Sequence, residues 1–231
     1  MTRPPTRPLP PPDDEPDPWS LSLVARVERD APGRRRPAHT DVLVAAARAV
    51  VLLLDDPRVT DPDGELHAAV QAWRDRRIRK ICRRARGAAW ERTAGLPHSE
   101  AASGDAVVRV FAPHPREEVP DLLRPLQVGG LDLDDPDGLA VPGPDDVLTV
   151  RLTPGVAMTT GKAAAQVGHA AQLAHERLPR TDAWRRGGFG VRVLTGPVVL
   201  PPADRVDVRD GGFTEVAPGT VTASAGFEGT V

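Results

Sequence analysis

Aromatic residues and methionine are scarce in this sequence. Tyrosine is absent, aromatic residues make up 3% of the 231 residues, and there are only two methionines. Apolar residues still reach 40%, which is enough for a core in one large or two small domains. The core must therefore be built from Val, Leu and Ala, and Ala-rich helices packed closely on Val-rich strands suit that supply.

Cysteine and long apolar runs are also rare. The single cysteine, Cys82, cannot form an internal disulfide, and no apolar run approaches the roughly 20 residues that a membrane-spanning helix needs. The first residues contain no apolar core of the signal-peptide kind. We therefore expect a cytoplasmic protein that does not contact a membrane.

Neither sign of charge dominates the chain. It has 30 Lys and Arg against 32 Asp and Glu, which gives a net charge of −2 and an isoelectric point near 6.3. This balance argues against a surface that is uniformly basic for nucleic-acid binding. Any contact with nucleic acid must therefore come from a local cluster of cations.

The succession of patterns predicts an α/β protein in two units. Pro-rich residues 1–18 are expected to be a disordered tail, 19–133 a basic N-terminal α/β unit, 134–146 a linker, and 147–231 a C-terminal α/β unit. Strands alternate with helices in both units, as in layered α/β folds. We expect the units to pack as a pseudo-dimer, and the first could be a diverged copy of the second.

A faint internal similarity supports the idea of a copy. RKICRRARGAAWE can be laid on GKAAAQVGHAAQLA with Lys80 over Lys162, and GDAVVRVFAP resembles GFGVRVLTG. Two helices that share a small-residue packing face would also produce this likeness by chance.

In the N-terminal unit, LSLVARVERD predicts a strand that begins near Trp19, and TDVLVAAARAVVLLLDD predicts a buried helix capped by Thr40 or Asp41. The pattern then predicts, in order, a long helix from about Glu65 to Thr93, a strand over 105–113, a short helix interrupted by Pro120, and an edge strand in QVGGLDLDD.

The long predicted helix carries the clearest cluster of charge. Its core-facing stripe would comprise Ile78, Ile81, Cys82, Ala85 and Ala89, with the cations spread over the remaining surface. Like charges one turn apart destabilise a helix, so RNA phosphates or acidic side chains are expected as partners. We expect RNA contact. The cluster comprises Arg74, Arg76, Arg77, Arg79, Lys80, Arg83, Arg84 and Arg86, of which Arg76, Arg77, Lys80, Arg83 and Arg84 are the candidate contacts.

The C-terminal unit begins with a predicted strand, VLTVRLTP, and a helix that opens in MTTGKAAAQVGHAAQLAHERLP. Further strands are predicted in FGVRVLTG, DRVDVRD and GTVTASAG. A phosphate-binding GxxxxGK[ST] loop does not fit, because Gly155 precedes Gly161 by one residue too many and Ala163 replaces the Ser or Thr. The helix start with Lys162 is still a candidate anion site.

Other catalytic classes have little support in the sequence. His169 and His175 are six residues apart and fall on different helical faces, so the i, i+4 spacing of a zinc helix is missing. The chain has no GxSxG motif, and Cys82 is interpreted as a buried structural thiol. We therefore expect no metal site.

Two motifs of the C-terminal unit resemble the pattern of the type 2 peptidyl-tRNA hydrolases. That pattern is a strand, then GKxAAQxxHAA, then a distant D-x-G-x-T-x-x-x-PGT before a final strand. The similarity covers about residues 147–227, a little over a third of the chain. The matching residues are Gly161, Lys162, Ala164, Ala165, Gln166, His169, Ala170, Ala171, Asp210, Gly212, Thr214, Pro218, Gly219 and Thr220.

The resemblance implies a small α/β/α sandwich with a mixed sheet. It also implies hydrolysis of the ester between a peptide and the 3′ ribose of tRNA, without a metal or an organic cofactor. Asp210 would orient or deprotonate water, Lys162 would supply positive charge, and Thr214 and Thr220 would donate to the oxyanion. His169 would orient another group or touch the substrate. Further substrate contacts are expected from Gly161, Gln166 and Gly219.

The chain departs from the family after FGVRVLTG, where PVVLPPADRVDV leaves no room for the family's next helix. An uncovered apolar sheet face needs a cover, and the N-terminal unit is the obvious supplier. Two other functions stay open: an RNA- or protein-binding module that has lost activity, and a nucleotide-binding enzyme that uses the start of the Lys162 helix. Either a monomer or a homodimer suits this sequence.

Overall fold

The computed structural model describes residues 19–28, 36–76, 78–136, 147–179, 181–211 and 216–227. The first unit contains β1 (Trp19–Arg26), α1 (His39–Leu54), α2 (Pro57–Thr60), α3 (His67–Arg74), β2 (Arg79–Ala85), α4 (Gly87–Thr93), β3 (His98–Ser103), β4 (Ala106–Phe111) and β5 (His114–Pro115). The second contains β6 (Leu148–Leu152), α5 (Thr160–Arg177), α6 (Thr181–Arg186), β7 (Val191–Thr195), β8 (Arg205–Arg209) and β9 (Val221–Gly226). The predicted tail, 1–18, lies outside the described residues.

The two sheets have the same topology. The first has the order β2-β1-β4-β3, with β5 paired to β1, and the second has the order β7-β6-β9-β8. In each sheet, the two strands joined through the long helix are parallel and the other neighbours are antiparallel. The predicted α/β class, with mixed sheets in two similar units, is thus confirmed.

The long helices α1 and α5 pack against each other between the two sheets. α1 contacts β1, β3 and β4 of its own unit and β7 of the other, while α5 contacts β6, β8 and β9 and also β2. One hydrophobic cluster therefore runs through both units, from Leu21 and Leu23 to Val150 and Ala223. The inner face of the second sheet is covered by helices from both units. The expectation that the first unit covers an otherwise bare apolar face is not met, because α1 and α5 share this one face.

The outer face of the second sheet is polar. Thr149, Arg151, Arg192, Asp207 and Ser224 alternate along their strands with the buried valines and alanines of the inner face. Only a short 3₁₀ helix, Pro202–Asp204, occupies the segment between β7 and β8. Apart from the half-buried Leu194 on β7, these outward positions are polar, so this face needs no further apolar cover.

The predicted long helix over 65–93 is wrong. Residues 79–85 form β2, which pairs in parallel with β1 from Ser20↔Arg79 to Arg26↔Ala85. The apolar spacing over 78–85 fits a strand as well as a helix. A strand also relieves the repulsion between cations one turn apart, because neighbouring side chains fall on opposite faces.

Three smaller predictions are also corrected. The N-cap of α1 is Ala38, without a side-chain cap, and Thr40 instead donates its hydroxyl to Asp135. QVGGLDLDD contributes only an isolated bridge between Gln127 and Arg84. The segment around Pro120 holds a 3₁₀ helix, Arg116–Glu118, followed by turns.

The strand β3 went unpredicted because HSEAAS carries almost no apolar pattern. The predicted overlay of Lys80 on Lys162 is wrong, since one lies on a strand and the other on a helix. The matching elements are α1 with α5 and β2 with β7. The predicted strands that correspond to β1, β4, β6, β7, β8 and β9, and the helix α5, are confirmed.

Candidate active site

The first turn of α5 is fixed by contacts with the N-terminal half of the chain. Thr159 is the N-cap, and its hydroxyl accepts from the Lys162 N–H at 3.3 Å. The Thr160 hydroxyl accepts from Leu133 N–H and is hydrogen-bonded to His39 Nδ1, each at 2.9 Å. Gly161 N–H donates to the Leu131 carbonyl at 3.1 Å. This N–H is therefore engaged in packing the two halves together.

A buried ion pair lies beside this turn. Lys162 Nζ donates to Asp210 Oδ2 at 2.5 Å, and Gln166 Nε2 donates to the same oxygen at 2.8 Å. The two donors project from one side of α5 because they are four residues apart. The Asp210 side chain is 3% exposed and the Lys162 side chain 14%, so solvent reaches the pair through the lysine.

The backbone of Asp210, which directly follows β8, is held by the PGT segment. Asp210 N–H donates to the Thr220 carbonyl at 2.9 Å, and Gly219 N–H donates to the Asp210 carbonyl at 2.7 Å. Gly219 has φ of +81°, a left-handed conformation that glycine adopts without strain. In the described residues, Gly219 and Thr220 thus contribute through the backbone, and Thr214 lies outside them.

Thr222 belongs to the site and was missed in the sequence. The β8–β9 register passes from Val208↔Ala223 to Arg209↔Val221, which leaves Thr222 in a bulge. Its hydroxyl donates to Gln166 Oε1 at 2.8 Å, and its side chain is fully buried. This bond fixes the amide so that Nε2 faces Asp210. Regular alternation along β9 would turn Thr222 away from α5, so the sequence pattern did not predict its contact with Gln166.

His169 lies on α5 seven residues after Lys162 and contacts the other half of the chain. Lys80 Nζ on β2 is 3.2 Å from its Nδ1 and donates to Gln172 Oε1 at 2.5 Å. Gln172 Nε2 donates in turn to Glu176 Oε1 at 3.1 Å. A second polar cluster therefore adjoins the Lys162–Asp210 pair along the same helix.

Burial controls the charges of this second cluster. It lowers the pKa of Lys80 to about 7, while Glu176 raises that pKa and Arg74 lowers it. Burial, followed by the positive charges of Lys80 and Lys162, lowers the pKa of His169 well below its usual value. The imidazole is therefore neutral at neutral pH.

The predicted RNA-binding cations do not share one exposed helical surface. Lys80 and Arg83 are buried, and burial lowers the pKa of Arg83, whose Nη1 donates to the Leu126 carbonyl. Arg84 donates to Gln127 Oε1. Arg76 is exposed beside the Trp19 ring, with its Cζ 5.4 Å from the ring centroid. The last candidate, Arg77, lies outside the described residues.

The first unit has a different contact at the matching position. Asp41, the third residue of α1, corresponds to Lys162, the third residue of α5. It accepts from the hydroxyl of Ser103, the last residue of β3, at 2.9 Å. Among the residues that the structure describes, the lysine–aspartate pair at this position is thus confined to the second unit.

Within the described ranges, no helix is long and apolar enough to cross a membrane, and no group of three or more His, Cys, Asp or Glu side chains could hold a metal ion. No protein-family model matches this chain, and no curated protein sequence shows significant similarity to it. The site is therefore characterised by its geometry and by the two sequence motifs that meet in it.

Proposed function

We propose that this chain hydrolyses the ester bond between tRNA and a peptide or N-blocked amino acid. The observation that carries the proposal is the buried Lys162–Asp210 pair, with Gln166 bonded to the same carboxylate oxygen. These three residues belong to the two motifs that resemble those of type 2 peptidyl-tRNA hydrolases. Lys162 and Asp210 are 48 residues apart in the sequence.

In this proposal Asp210 acts as the general base. The carboxylate takes a proton from a water molecule as the water oxygen attacks the ester carbonyl, and Lys162 stabilises the oxyanion that forms. When the intermediate collapses, the acyl C–O3′ bond breaks and the proton passes to the ribose oxygen. Donation from Lys162 and Gln166 to one oxygen holds the carboxylate in a single orientation, which supports this role.

Recognition of tRNA would depend on phosphate and shape rather than on bases, because the enzyme must accept many tRNAs. Arg209 is exposed next to Asp210 and donates to the Gly219 carbonyl at 3.3 Å. Arg209 and Arg76 are the cations we assign to phosphate contact, so binding should weaken as salt rises. A substrate released by ribosomes would also locate the protein in the cytoplasm.

The test is release of the acyl group from N-acetylated aminoacyl-tRNA by the purified full chain. We expect Asp210→Asn and Lys162→Met each to lower kcat by about 100-fold or more, because each removes a group that acts in the transition state. Asp204→Asn is the matched control, since Asp204 is an exposed carboxylate near β8. Circular dichroism and urea unfolding check that each variant folds.

Two results would contradict this proposal, the first its mechanism and the second the function itself. The first is full activity in folded Asp210→Asn, which would remove the carboxylate from the mechanism. The second is a parent protein that binds tRNA in a salt-sensitive way without turnover, which would favour a binding module that retains the fold.

A further inference from the structure

A lysine of the first unit reaches the helix that carries the candidate site. Lys80 and Cys82 alternate on β2 so that both face α5. A Cβ at position 168 would lie 3.2 Å from Lys80 Cδ and 3.2 Å from Val50 Cγ2. Glycine at 168 therefore lets the lysine stem lie against the helix, which brings Nζ to His169.

The hydrogen bonds around Nζ restrict which group donates. Gln172 directs its Oε1 at Lys80 because its Nε2 donates to Glu176. The Trp73 ring lies 4.8 Å from Nζ, a distance typical of a cation–π contact. Below pH 7, where Lys80 carries its charge, the ammonium has three donors and no acceptor, so Nδ1 of His169, at 3.2 Å, must be the acceptor. The proton of the neutral ring is then on Nε2.

We propose that Lys80 is a positioning residue that holds His169 in the Nε2–H tautomer, and so presents a hydrogen-bond donor beside the Lys162–Asp210 pair. The role of that donor rests on the proposed hydrolase function. His169 lies three residues after Gln166 and three before Gln172, so it lies between the candidate site and the Lys80 cluster on α5.

The matching position of the other unit supports a functional reason for the lysine. In the first sheet, β1 pairs with β2 so that Leu21 lies opposite Lys80 and Leu23 opposite Cys82. In the second sheet, the matching partners of Leu148 and Val150 on β7 are Val191 and Val193. The strand that packs on α1 therefore carries buried valines where β2 has Lys80 and Cys82. An apolar side chain fills this place in the fold, so packing alone does not require a lysine.

The charges that face His169 come from three elements. Lys80 on β2 and Lys162 on α5 are positively charged and favour the neutral ring of His169. Glu176 on α5 pairs with Arg74 of α3 at 3.1 Å. Glu176 raises the pKa of Lys80, and Arg74 lowers it. Removing the Lys80 charge should therefore raise the pKa of His169 and free the ring to exchange between tautomers.

The experiment is long-range ¹H–¹⁵N NMR of the ¹⁵N-histidine-labelled full chain, with His169 assigned through His169→Gln. We expect the parent to show the Nε2–H signature at pH 6, where Lys80 is charged and His169 is neutral. Lys80→Met should give averaged tautomer shifts, a titration of His169 at higher pH, and about a tenfold lower kcat with little change in KM. Arg92→Met removes an exposed cation of the same unit and should change none of these.

The parent spectrum tests the proposal even if Lys80→Met fails to fold. At pH 6, a ring protonated on Nδ1, or doubly protonated, would overturn it, and so would an unchanged tautomer in folded Lys80→Met. A parent with no esterase activity but with the expected tautomer, lost in Lys80→Met, would overturn the proposed function and keep the assignment of Lys80.

Discussion

At the scale of single residues, the candidate site depends on side chains that hold one another. Asp210 receives two donors on one oxygen, Gln166 is oriented by Thr222, and His169 accepts from Lys80. Such a network is stabilising only while every member keeps its partner, because a buried polar group without one is costly. Thr222 takes no part in the proposed chemistry, but loss of its hydroxyl should lower stability and release the Gln166 amide.

We expect Thr222→Val to lower the free energy of unfolding by about 1–3 kcal/mol, because it keeps the side-chain volume but leaves Gln166 Oε1 buried without its donor. Activity should fall as well, since the freed amide no longer directs Nε2 at Asp210. Urea unfolding and the acyl-tRNA assay measure both effects. Thr195→Val, at an exposed strand position, is the control. Equal stability of the two variants would show that the bond to Gln166 contributes nothing.

At the scale of elements, sequence periodicity was informative where packing agreed with local pattern. β6 and α5 follow from their apolar spacing, and Lys162 and Asp210 from two motifs. β2 could not be distinguished from a helix, because its pairing with β1 is a long-range contact that spacing does not encode. The bulge at Thr222 and the contact between Lys80 and His169 likewise arise only when distant strands and helices come together.

The close approach of α5 to its neighbours gives a prediction at this scale. We expect Gly168→Val to lower the free energy of unfolding by about 1–3 kcal/mol, since even a Cβ at this position lies 3.2 Å from Lys80 and from Val50. Gly129→Val is the control, because no atom lies within 4 Å of a Cβ at that position. Thermal and urea unfolding compare the two variants. A Gly168→Val protein as stable as the parent would mean that this packing adjusts freely.

At the scale of the whole molecule, the two units share one interior. α1 and α5 contact each other and both sheets, and the main hydrophobic cluster includes residues from each unit. The second unit taken alone would expose the faces of α5 that pack on α1 and β2. Each Å² of apolar area buried between the units stabilises the fold by roughly 25 cal/mol. Because the net free energy of folding is small, loss of this contact should be strongly destabilising.

We therefore expect a fragment of residues 147–231 to lack cooperative folding, although it contains both motifs of the candidate site. Circular dichroism, the dispersion of amide proton shifts and urea unfolding would measure this, with the full chain as the reference. A fragment that unfolds in one sharp transition, with activity like that of the full chain, would contradict the prediction and make the first unit dispensable.

The two sheets share one topology but belong to a single chain, and this affects how substitutions near the candidate site can accumulate. In a dimer of identical subunits, any substitution appears twice, once on each side of the symmetry axis. Here each half mutates by itself, so a lysine can stand beside His169 while valine stays at the matching position on the other side. A single chain thus allows the two halves to diverge, so that matching positions carry a polar residue on one side and an apolar residue on the other.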